Sequence, residues 1–403
     1  MDIFLQSVFW ASLLAIVTTY FGYPLVLVLA RPLRRRHVID ESLPPSVTLV
    51  ISAYNEAGVI REKIENALSL DYPRDQMEVM VISDESDDGT DEIVTEYADQ
   101  GVRLFRQVPR RGKSMGLTRF VPEITSDVIV FSDANSIYKE DAIRKLVRHF
   151  ADPKVGFTVG HQRYYDDQTQ TTESESLYWR YETFLKTEEC QLTSVVCGDG
   201  AIYAIRSELF EPLREDDIND FYLPLRIVVR GYRGIFDPEA VCYEQTADDF
   251  QGEFRRKIRI VNRSLTAVLR VPQALNPLRV GVFAPQLFIH KVIRWFVPFF
   301  LVATLITNAI LARSSSMYQL LLMAQLSFYG LALLHLIPGL SRLKLTYVPY
   351  YFCLINYAAF RGVIGSLTGR RIAVWQPERP PEQEAAAIVS PQPVATTVKD
   401  SSP

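Results

Sequence analysis

The sequence predicts an α/β domain with a mostly parallel sheet, joined to apolar helices at both ends of the chain. Two observations lead to this fold class. Between residues 47 and 150, short apolar runs alternate with segments of helical spacing, a pattern typical of a parallel sheet with helices on both faces. Near both termini, long stretches contain no charged residue at all. We therefore expect a water-soluble middle between membrane-embedded ends.

The predicted elements of the middle part follow from the two periodicities. Strands are predicted at 47–53, 79–83, 102–106 and 128–132. Helices are predicted at 59–70, 90–98, 141–150 and 221–230. In such sheets ligands bind at the carboxyl ends of the strands, so the residues that follow each strand are the first candidates for a site.

Composition excludes several classes of protein. Of the 403 residues, 48% are hydrophobic and 22% charged, and the net charge is −4. These values exclude a disordered or collagen-like chain and give no reason to expect a nucleic-acid partner. The four cysteines lack CxxC spacing, so we expect a reducing compartment rather than a disulfide framework.

The N-terminal apolar stretch is predicted to be a membrane anchor, residues 1–31. Positions 3–30 carry no charge, and Arg31, Arg34, Arg35 and Arg36 follow. A signal peptide would be shorter, with its positive charges before the apolar run. Since positive loops stay in the cytosol, we expect the N-terminus outside and a cytosolic domain at 40–272, in a multi-pass protein of the inner (plasma) membrane.

The C-terminal part, 273–370, leaves its topology open. Helices at 286–312, 317–338 and 345–367 would by parity put the C-terminus outside, whereas Arg370, Arg371 and Arg379 favour the inside. One of the three helices could lie in the interface or re-enter instead of spanning. The tail 376–403 is rich in Pro, Ala and Glu and is predicted to be disordered.

Acidic and amide side chains follow three of the four predicted strands. Ala-Tyr-Asn-Glu stands at 53–56, Asp-Glu-Ser-Asp-Asp-Gly-Thr at 84–90 and Asp-Ala-Asn at 133–135. The chain has neither a P-loop nor a GxGxxG after the first strand. Carboxylates could hold a diphosphate through Mg²⁺ or Mn²⁺. Helix N-capping is the alternative role for the acids at 87–88 and 133.

These segments resemble family 2 glycosyltransferases, in particular the membrane-bound branch with cellulose, hyaluronan and poly-N-acetylglucosamine synthases. The resemblance rests on Leu-Val-Ile-Ser-Ala-Tyr-Asn-Glu at 49–56 and Val-Ile-Ser-Asp-Glu-Ser-Asp-Asp-Gly-Thr at 81–90, and it extends over about 45–270. It implies a Rossmann-like A-type glycosyltransferase fold. It also implies inverting transfer from a UDP-sugar to a polysaccharide or lipid-linked acceptor, in the synthesis of extracellular polysaccharide or envelope glycan.

The resemblance also assigns residues on the donor side. Ala53, Tyr54, Glu56 and Asp84 would line the uridine pocket, with Asp84 accepting a hydrogen bond from the uracil imide. The segment at 110–116, Arg-Arg-Gly-Lys-Ser-Met-Gly, matches a basic loop that approaches the donor, and its lysine is Lys113. The metal motif is represented by Asp133 and Asn135. An amide in place of the usual second acid lowers the charge offered to Mg²⁺ or Mn²⁺.

On the acceptor side, the segment Cys197, Gly198, Asp199 and Gly200 resembles the family's acceptor-binding stretch, although a tight turn before a strand is an alternative interpretation. Asp220 matches the catalytic acid, and Asn219 stands where the family has Glu. As a base, Asp220 would deprotonate the acceptor hydroxyl. The alternative, an N-cap of the following helix, is compatible with that role.

A basic amphipathic helix follows near 250–270. Arg259 matches the arginine of the family's Gln-x-x-Arg-Trp motif, while Arg256 replaces Gln and Ile260 replaces Trp. Arg259 would help neutralise the leaving diphosphate; alternatively, these arginines contact lipid phosphates.

Three functions remain open at this point. The group of C-terminal helices favours a polysaccharide synthase, and the missing Trp favours a non-processive transferase that adds one sugar to a lipid acceptor. A non-catalytic membrane scaffold is the third. A segment at 375–379, Trp-Gln-Pro-Glu-Arg, resembles a C-terminal motif near the active-site mouth in related synthases.

Overall fold

A computed structural model of the chain describes residues 2–35, 37–42, 44–165, 172–245 and 250–370. Its centre is one eight-stranded sheet with the strand order β3-β2-β1-β4-β7-β6-β8-β5. The strands are β1 Val47–Ala53, β2 Met77–Ser83, β3 Val102–Arg106, β4 Val128–Asp133, β5 Ile137–Tyr138, β6 Val155–Tyr165, β7 Tyr203–Arg206 and β8 Arg233–Gln245.

The predicted fold class is confirmed, with one refinement of the sheet. Within the run β3-β2-β1-β4, every pair of neighbouring strands is parallel. Strand β6 is also parallel to β8. The pairs β4–β7, β6–β7 and β5–β8 are antiparallel, so the parallel part is the first half of the sheet. Strands β1, β2 and β4 are buried over most of their length, which explains their continuous apolar runs, whereas β3 at the edge of the sheet is partly exposed.

Helices account for most of the remaining described chain. Those of the α/β domain are α3 Ile60–Ser69, α4 Thr90–Thr95, α5 Lys113–Phe120, α6 Ala142–Val147, α7 Thr172–Leu192, α8 Asn219–Val229 and α9 Phe250–Arg270. The N-terminal segment contains α1 Asp2–Val17 and α2 Tyr23–Leu29. The C-terminal segment contains α10 Pro277–Val280, α11 Phe283–Leu287, α12 Arg294–Leu311, α13 Ser316–Leu334 and α14 Lys344–Leu367.

Each face of the sheet has its own core. Val50 and Met80 lie on one face, in a cluster with Leu117 of α5 and Leu225 of α8. Their sequence neighbours point the other way, because side chains alternate along a strand. On that second face, Leu49 and Val81 pack in a cluster with Ile60 and Ile64 of α3 and Ile143 of α6.

Strand register brings the predicted rim residues side by side. Ala53 at the end of β1 pairs with Ser83 of β2, and the preceding Ser52 pairs with Asp133 of β4. The loops that begin at Tyr54, Asp84 and Ala134 therefore leave the sheet from one edge. A site formed by distant parts of the sequence can assemble there.

Three of the described helical segments are long and apolar enough to cross a membrane: Asp2–Leu29, Phe283–Leu311 and Ser316–Leu334. The first and second are each continuous through a short π-helical stretch, Thr18–Gly22 and Phe288–Ile293. Helix α14, predicted as a further spanning or interfacial segment, is not among the three.

Helix α14 instead lies along α9. A Cβ atom placed on Gly362 would be 2.8 Å from Cβ of Val261, so the two helices are in close contact. Asn262 of α9 donates a hydrogen bond to the Arg370 carbonyl oxygen at 3.1 Å. Residue 370 therefore lies beside the α/β domain.

Candidate active site

The loops after β1 and β2 are tied to each other. Asn55 donates to Asp87 Oδ1 at 2.8 Å and accepts from the Asp87 backbone N–H at 3.0 Å. Asp88 accepts from the Ala57 backbone N–H at 3.0 Å. Asn55 and Glu85 both have positive φ, 54° and 61°, a conformation that concentrates at functional sites. Asp87 and Asp88 thus shape the rim of the sheet.

Ala53 and Glu56 lie within this frame. The Ala53 carbonyl oxygen accepts the backbone N–H of Asp84 at 3.0 Å. The Glu56 backbone N–H donates to Thr90 Oγ1 at 2.8 Å, and the Glu56 side chain is buried. Both residues are at the edge of the sheet that the sequence predicted, and their contacts with a nucleotide stay predictions.

Asp84 holds the basic loop. Its carboxylate accepts the backbone N–H groups of Arg111 at 3.0 Å and Gly112 at 2.9 Å, together with the Gln107 side-chain amide. These bonds place Lys113, the first residue of α5, at the rim. Because a carboxylate has about four acceptor positions, these bonds leave room for the predicted bond to a uracil imide.

Tyr54 and Arg110 form a flat stacked pair beside Asp84. The guanidinium carbon of Arg110 is 3.4 Å from the centroid of the Tyr54 ring, and its Nε atom is 3.6 Å from Asp84 Oδ2. The Arg110 backbone N–H donates to Glu85 at 2.7 Å. Nothing in the basic run itself singles out Arg110, because its stacking partner lies 56 positions earlier in the chain.

Asp133 ends β4 and pairs with the basic loop. Lys113 Nζ is 2.5 Å from Asp133 Oδ1, with side-chain exposures of 30% and 42%. Asn135 is exposed. Within the described ranges no group of three or more His, Cys, Asp or Glu residues could hold a metal ion. Asp133 fits a site in which the diphosphate of a substrate supplies most ligands to Mg²⁺ or Mn²⁺.

The buried carboxyl group of Glu244 in β8 interacts electrostatically with Asp133. It accepts hydrogen bonds from the side chains of Ser136 and Gln162. Burial, and after it the charge of Asp133, raises the pKa of Glu244 to about 7. Sequence reasoning missed this residue because its partners are 108 and 82 positions away.

The carboxylates of Asp220 and Asp133 both lie close to Gly200. An ideal Cβ atom on Gly200 would be 3.3 Å from Asp220 Oδ2 and 3.5 Å from Asp133 Oδ2. Glycine at this position leaves an opening between the two carboxylates. Asp220 lies in the first turn of α8, and Ile218 occupies the N-cap position, so the capping alternative does not describe Asp220.

The environment of Asp220 suits a base. Burial raises the pKa of Asp220 to about 6; Lys113 opposes this shift, whereas Asp199 and Asp133 add to it. Its Oδ1 atom is buried and has no hydrogen-bond partner within the described part of the chain. A carboxylate whose pKa lies just below neutral is ionised at pH 7 and still basic enough to take a proton.

The predicted acceptor segment is hydrogen-bonded to the backbone of Asp220. The Gly198 N–H donates to the Asp220 carbonyl oxygen at 2.6 Å, and the Ile202 N–H donates to the Asp199 carbonyl oxygen at 3.0 Å. A tight turn is therefore present, and it lies against the candidate base. Cys197, half-buried, precedes this turn.

Arg259 of helix α9 lies within electrostatic range of both carboxylates. Burial lowers the pKa of Arg259 to about 10, with a further contribution from Arg263 and Arg256, while the charges of Asp133 and Asp220 oppose the shift. Arg259 thus acts electrostatically on both carboxylates, as a group that neutralises a leaving diphosphate would. The alternative contact with lipid phosphates remains open.

The segment 375–379 lies outside the described residues.

We predict that Gly200→Ala lowers kcat by about tenfold or more, because a methyl group would enter the gap between the two carboxylates and misplace the reacting groups. The fold should be retained, since only side-chain oxygens are crowded. Gly330→Ala is a matched control, because its Cβ would meet no atom within 4 Å. Equal kcat in the Gly200 variant and wild type would show that this gap is not the reaction site.

Part of the α/β domain matches a known protein family. The family model described as glycosyl transferase family 2 matches residues 48–211, which include β1, the basic loop, Asp133 and the Gly198–Gly200 turn. The motifs at 49–56 and 81–90, on which the predicted resemblance rests, lie within this match.

Two curated relatives are similar to this chain over a little more than half of its length. The chain is 27% identical over 240 residues to "Probable glycosyltransferase YdaM" of Bacillus subtilis (strain 168), covering 56% of this chain and 57% of the relative. It is 23% identical over 235 residues to "Poly-beta-1,6-N-acetyl-D-glucosamine synthase" of Staphylococcus aureus (strain MSSA476), covering 56% of each. This chain thus spans little more than half the length of these curated relatives.

One solved structure shares the fold over nearly the whole length. It is "Mannosyltransferase PcManGT from Pyrobaculum calidifontis in complex with GDP-Man and Mn2+", with a TM-score of 0.69 and 23% identity. The match covers 91% of this chain and 100% of that one.

Proposed function

We propose that this chain is a membrane-integrated inverting glycosyltransferase that moves a sugar from a nucleoside-diphosphate donor to a hydroxyl group of a membrane-held acceptor. The observation that carries the proposal is the convergence of Asp220 and Asp133 on Gly200. One carboxylate has the raised pKa of a base, and the other is paired with Lys113 at the expected diphosphate position.

The chemistry follows from these positions. An acceptor hydroxyl lies against Asp220, which takes its proton as the hydroxyl oxygen bonds to the anomeric carbon. The bond from that carbon to the diphosphate oxygen breaks on the opposite side, and the electron pair leaves with the nucleoside diphosphate. Lys113 and Arg259 stabilise the developing negative charge. A single displacement of this kind inverts the anomeric centre.

A divalent cation would complete the donor side. Asp133, with Asn135, would hold Mg²⁺ or Mn²⁺, and the bound ion would neutralise charge on the diphosphate. The mannosyltransferase from Pyrobaculum calidifontis is in complex with Mn²⁺. For this chain the argument for a metal rests on the Asp133 carboxylate; Asn135 would add a neutral amide oxygen, and the phosphate oxygens of the donor would supply further ligands.

The acceptor is proposed to reach the site from the membrane. Phe221, next to the candidate base, packs against Trp295 with ring centroids 5.9 Å apart. Trp295 lies near the start of α12, within a segment apolar enough to span a bilayer, and Trp is favoured at headgroup depth. The basic residues after the first span orient the α/β domain towards the cytosol in an inner membrane.

The proposal also concerns the nucleobase of the sugar donor and the length of the product. The family resemblance favours a UDP-sugar, while the mannosyltransferase with the shared fold is in complex with GDP-Man. Ile260 in place of the motif Trp favours a single transfer to a lipid-linked acceptor. The poly-N-acetylglucosamine synthase relative supports the second candidate, a polymerase of extracellular or envelope polysaccharide.

The pH dependence of the reaction should reflect Asp220. Its carboxylate is the active form, so activity is lost as the pH falls through about 6 and is retained at neutral pH. We predict an acid limb near pH 6 in kcat/KM for the acceptor, measured in membranes or detergent with donor saturating. An acid limb near the ordinary aspartate value of about 3.9 would contradict the assignment.

Nucleotide release tests the proposed function. Purified chain in lipid would be incubated with Mg²⁺ or Mn²⁺ and a panel of UDP- and GDP-sugars, with membrane lipid extract as acceptor, and the released nucleotide measured. Release with one donor class is expected, and the product should be sized. A single added sugar would favour the transferase, and a long product the polymerase. The absence of release with every donor would support the scaffold alternative.

A further inference from the structure

Helix α7 connects both membrane segments to the α/β domain. Three of its acids are engaged by residues from those segments. Glu188 pairs with Arg31 and Arg34, each at 2.8 Å. Glu189 accepts from the Tyr23 hydroxyl at 2.5 Å and lies 2.8 Å from Nδ1 of His290.

Glu182 completes this set from one turn and a half earlier. It contacts His290 Nε2 at 3.3 Å and Lys291 Nζ at 3.4 Å, and it also pairs with Arg294. Glu182 and Glu189 are buried, and together they contact the first and second candidate spans. Glu182, Glu188 and Glu189 therefore all pair with residues of the two candidate membrane segments or their flanks.

Lys186 lies between these acids but pairs in the opposite direction. Its Nζ atom is 3.2 Å from Asp199 Oδ2, and the two side chains are only 9% and 11% exposed. Burial alone would lower the pKa of Lys186, but Asp199, together with smaller contributions from Cys197 and Glu182, outweighs it and the pKa is raised. The ammonium group is thus charged and directed at the turn before β7.

Asp199 belongs to the turn that contacts the candidate base. Gly198, the preceding residue, donates its N–H to the Asp220 carbonyl oxygen. Gly200, the following residue, lies between the carboxylates of Asp220 and Asp133. A shift of Asp199 would displace both glycines relative to Asp220.

We propose that Lys186 is a positioning residue: by pairing with Asp199 it holds the Gly198–Gly200 turn against Asp220 and connects the membrane-docked helix α7 to the acceptor side of the site. Nothing in the family motifs includes this lysine. The inference deepens the proposed function, on which its catalytic consequence rests. The position of the turn, which is the structural part of the proposal, can be measured even in a protein that shows no activity.

The physical basis is the cost of an unpaired buried charge. Without Lys186, the largely buried Asp199 carboxylate would have no ion-pair partner within the described part of the chain, and it would move towards water or take up a proton. Either change loosens the turn. Displacements of about 1 Å at a reacting centre can lower a rate by roughly a hundredfold.

The test compares four single variants of the full-length protein in lipid by hydrogen–deuterium exchange and by kinetics. Lys186→Met and Asp199→Asn break the pair from either side, and Lys186→Arg keeps the charge. Lys154→Met is the matched control, because Lys154 is exposed. The amides followed are those of Gly198 and Ile202, which are hydrogen-bonded in this turn.

We expect exchange at Gly198 and Ile202 to become about tenfold faster or more in Lys186→Met and Asp199→Asn, as expected for a locally opened segment. Lys186→Arg and Lys154→Met should exchange as wild type does. In the active protein, Lys186→Met should lower kcat about tenfold or more with an unchanged donor KM, since only the acceptor side moves. Should Lys186→Met fail to fold, Asp199→Asn gives the same measurement.

Unchanged exchange in both pair-breaking variants would overturn the proposal, whatever the activity. Faster exchange throughout the domain would also overturn it, because it would show general destabilisation. Faster exchange confined to the turn, in a protein without activity towards any donor, would refute the proposed function and leave the positioning role of Lys186 standing.

Discussion

Asp220→Asn is expected to lower kcat by about a thousandfold while the fold and the donor KM are retained. General base catalysis contributes roughly 10²- to 10⁴-fold, and asparagine has the same shape but cannot take the acceptor proton. The donor contacts proposed for Asp84, Lys113 and Asp133 would not be changed. Steady-state kinetics with the donor that the wild type uses would measure the effect.

Asp99→Asn is the matched control for this substitution, because Asp99 is exposed and distant in sequence from every candidate site residue. Its kcat should equal that of the wild type. An Asp220→Asn variant with a kcat within about threefold of the wild type would exclude Asp220 as the base, since even the weakest general bases contribute more than that.

Asp133→Asn is expected to impair the donor side, with kcat/KM for the donor lowered about a hundredfold or more. Asn135 already offers an amide where the family has an acid, so the substitution would leave no carboxylate in the metal motif. It would also remove the partner of Lys113. The concentration of Mg²⁺ or Mn²⁺ needed for half-maximal rate should rise, because a neutral oxygen binds a hard cation more weakly.

Metal titration separates this effect from that of Asp220. Asp133→Asn should regain part of its activity at high metal concentration, whereas Asp220→Asn should not respond. A metal requirement that is the same in Asp133→Asn and wild type would contradict the assignment of Asp133. Circular dichroism of both variants would confirm that the fold is intact.

The parallel half of the sheet was predictable because three of its strands, β1, β2 and β4, are buried over most of their length. Runs such as Val-Ile-Val-Phe at 128–131 are typical of interior strands. The later strands β6 and β8 contain polar residues such as Gln162 and Glu244 that are satisfied by each other. The alternation of apolar and polar residues in β6 and β8 is therefore obscured, and the sequence periodicity did not predict these two strands.

The third C-terminal helix shows a second limit of sequence reasoning. Its uncharged run at 345–360 predicted a helix but could not tell a span from an interfacial segment. The choice depends on α9, whose Val261 and Asn262 receive Gly362 and the end of α14. Contacts between segments about 100 residues apart leave no periodic signal in the sequence.

In the candidate site, family motifs indicated the residues that touch substrate in relatives, and the structure brings Lys113, Asp133, Gly200 and Asp220 together. Supporting residues were not predictable. Lys186 and Glu244 lie in no motif, and each matters only through a partner supplied by another element. Charge complementarity across the fold, rather than residue type, reveals them.

The anomeric configuration of the product tests the central claim most directly. The wild-type enzyme would be given an α-linked nucleotide sugar, and the new glycosidic bond would be examined by NMR in the isolated product. Direct displacement with Asp220 as base predicts a β linkage. An α-linked product would contradict single displacement and with it the role assigned to Asp220.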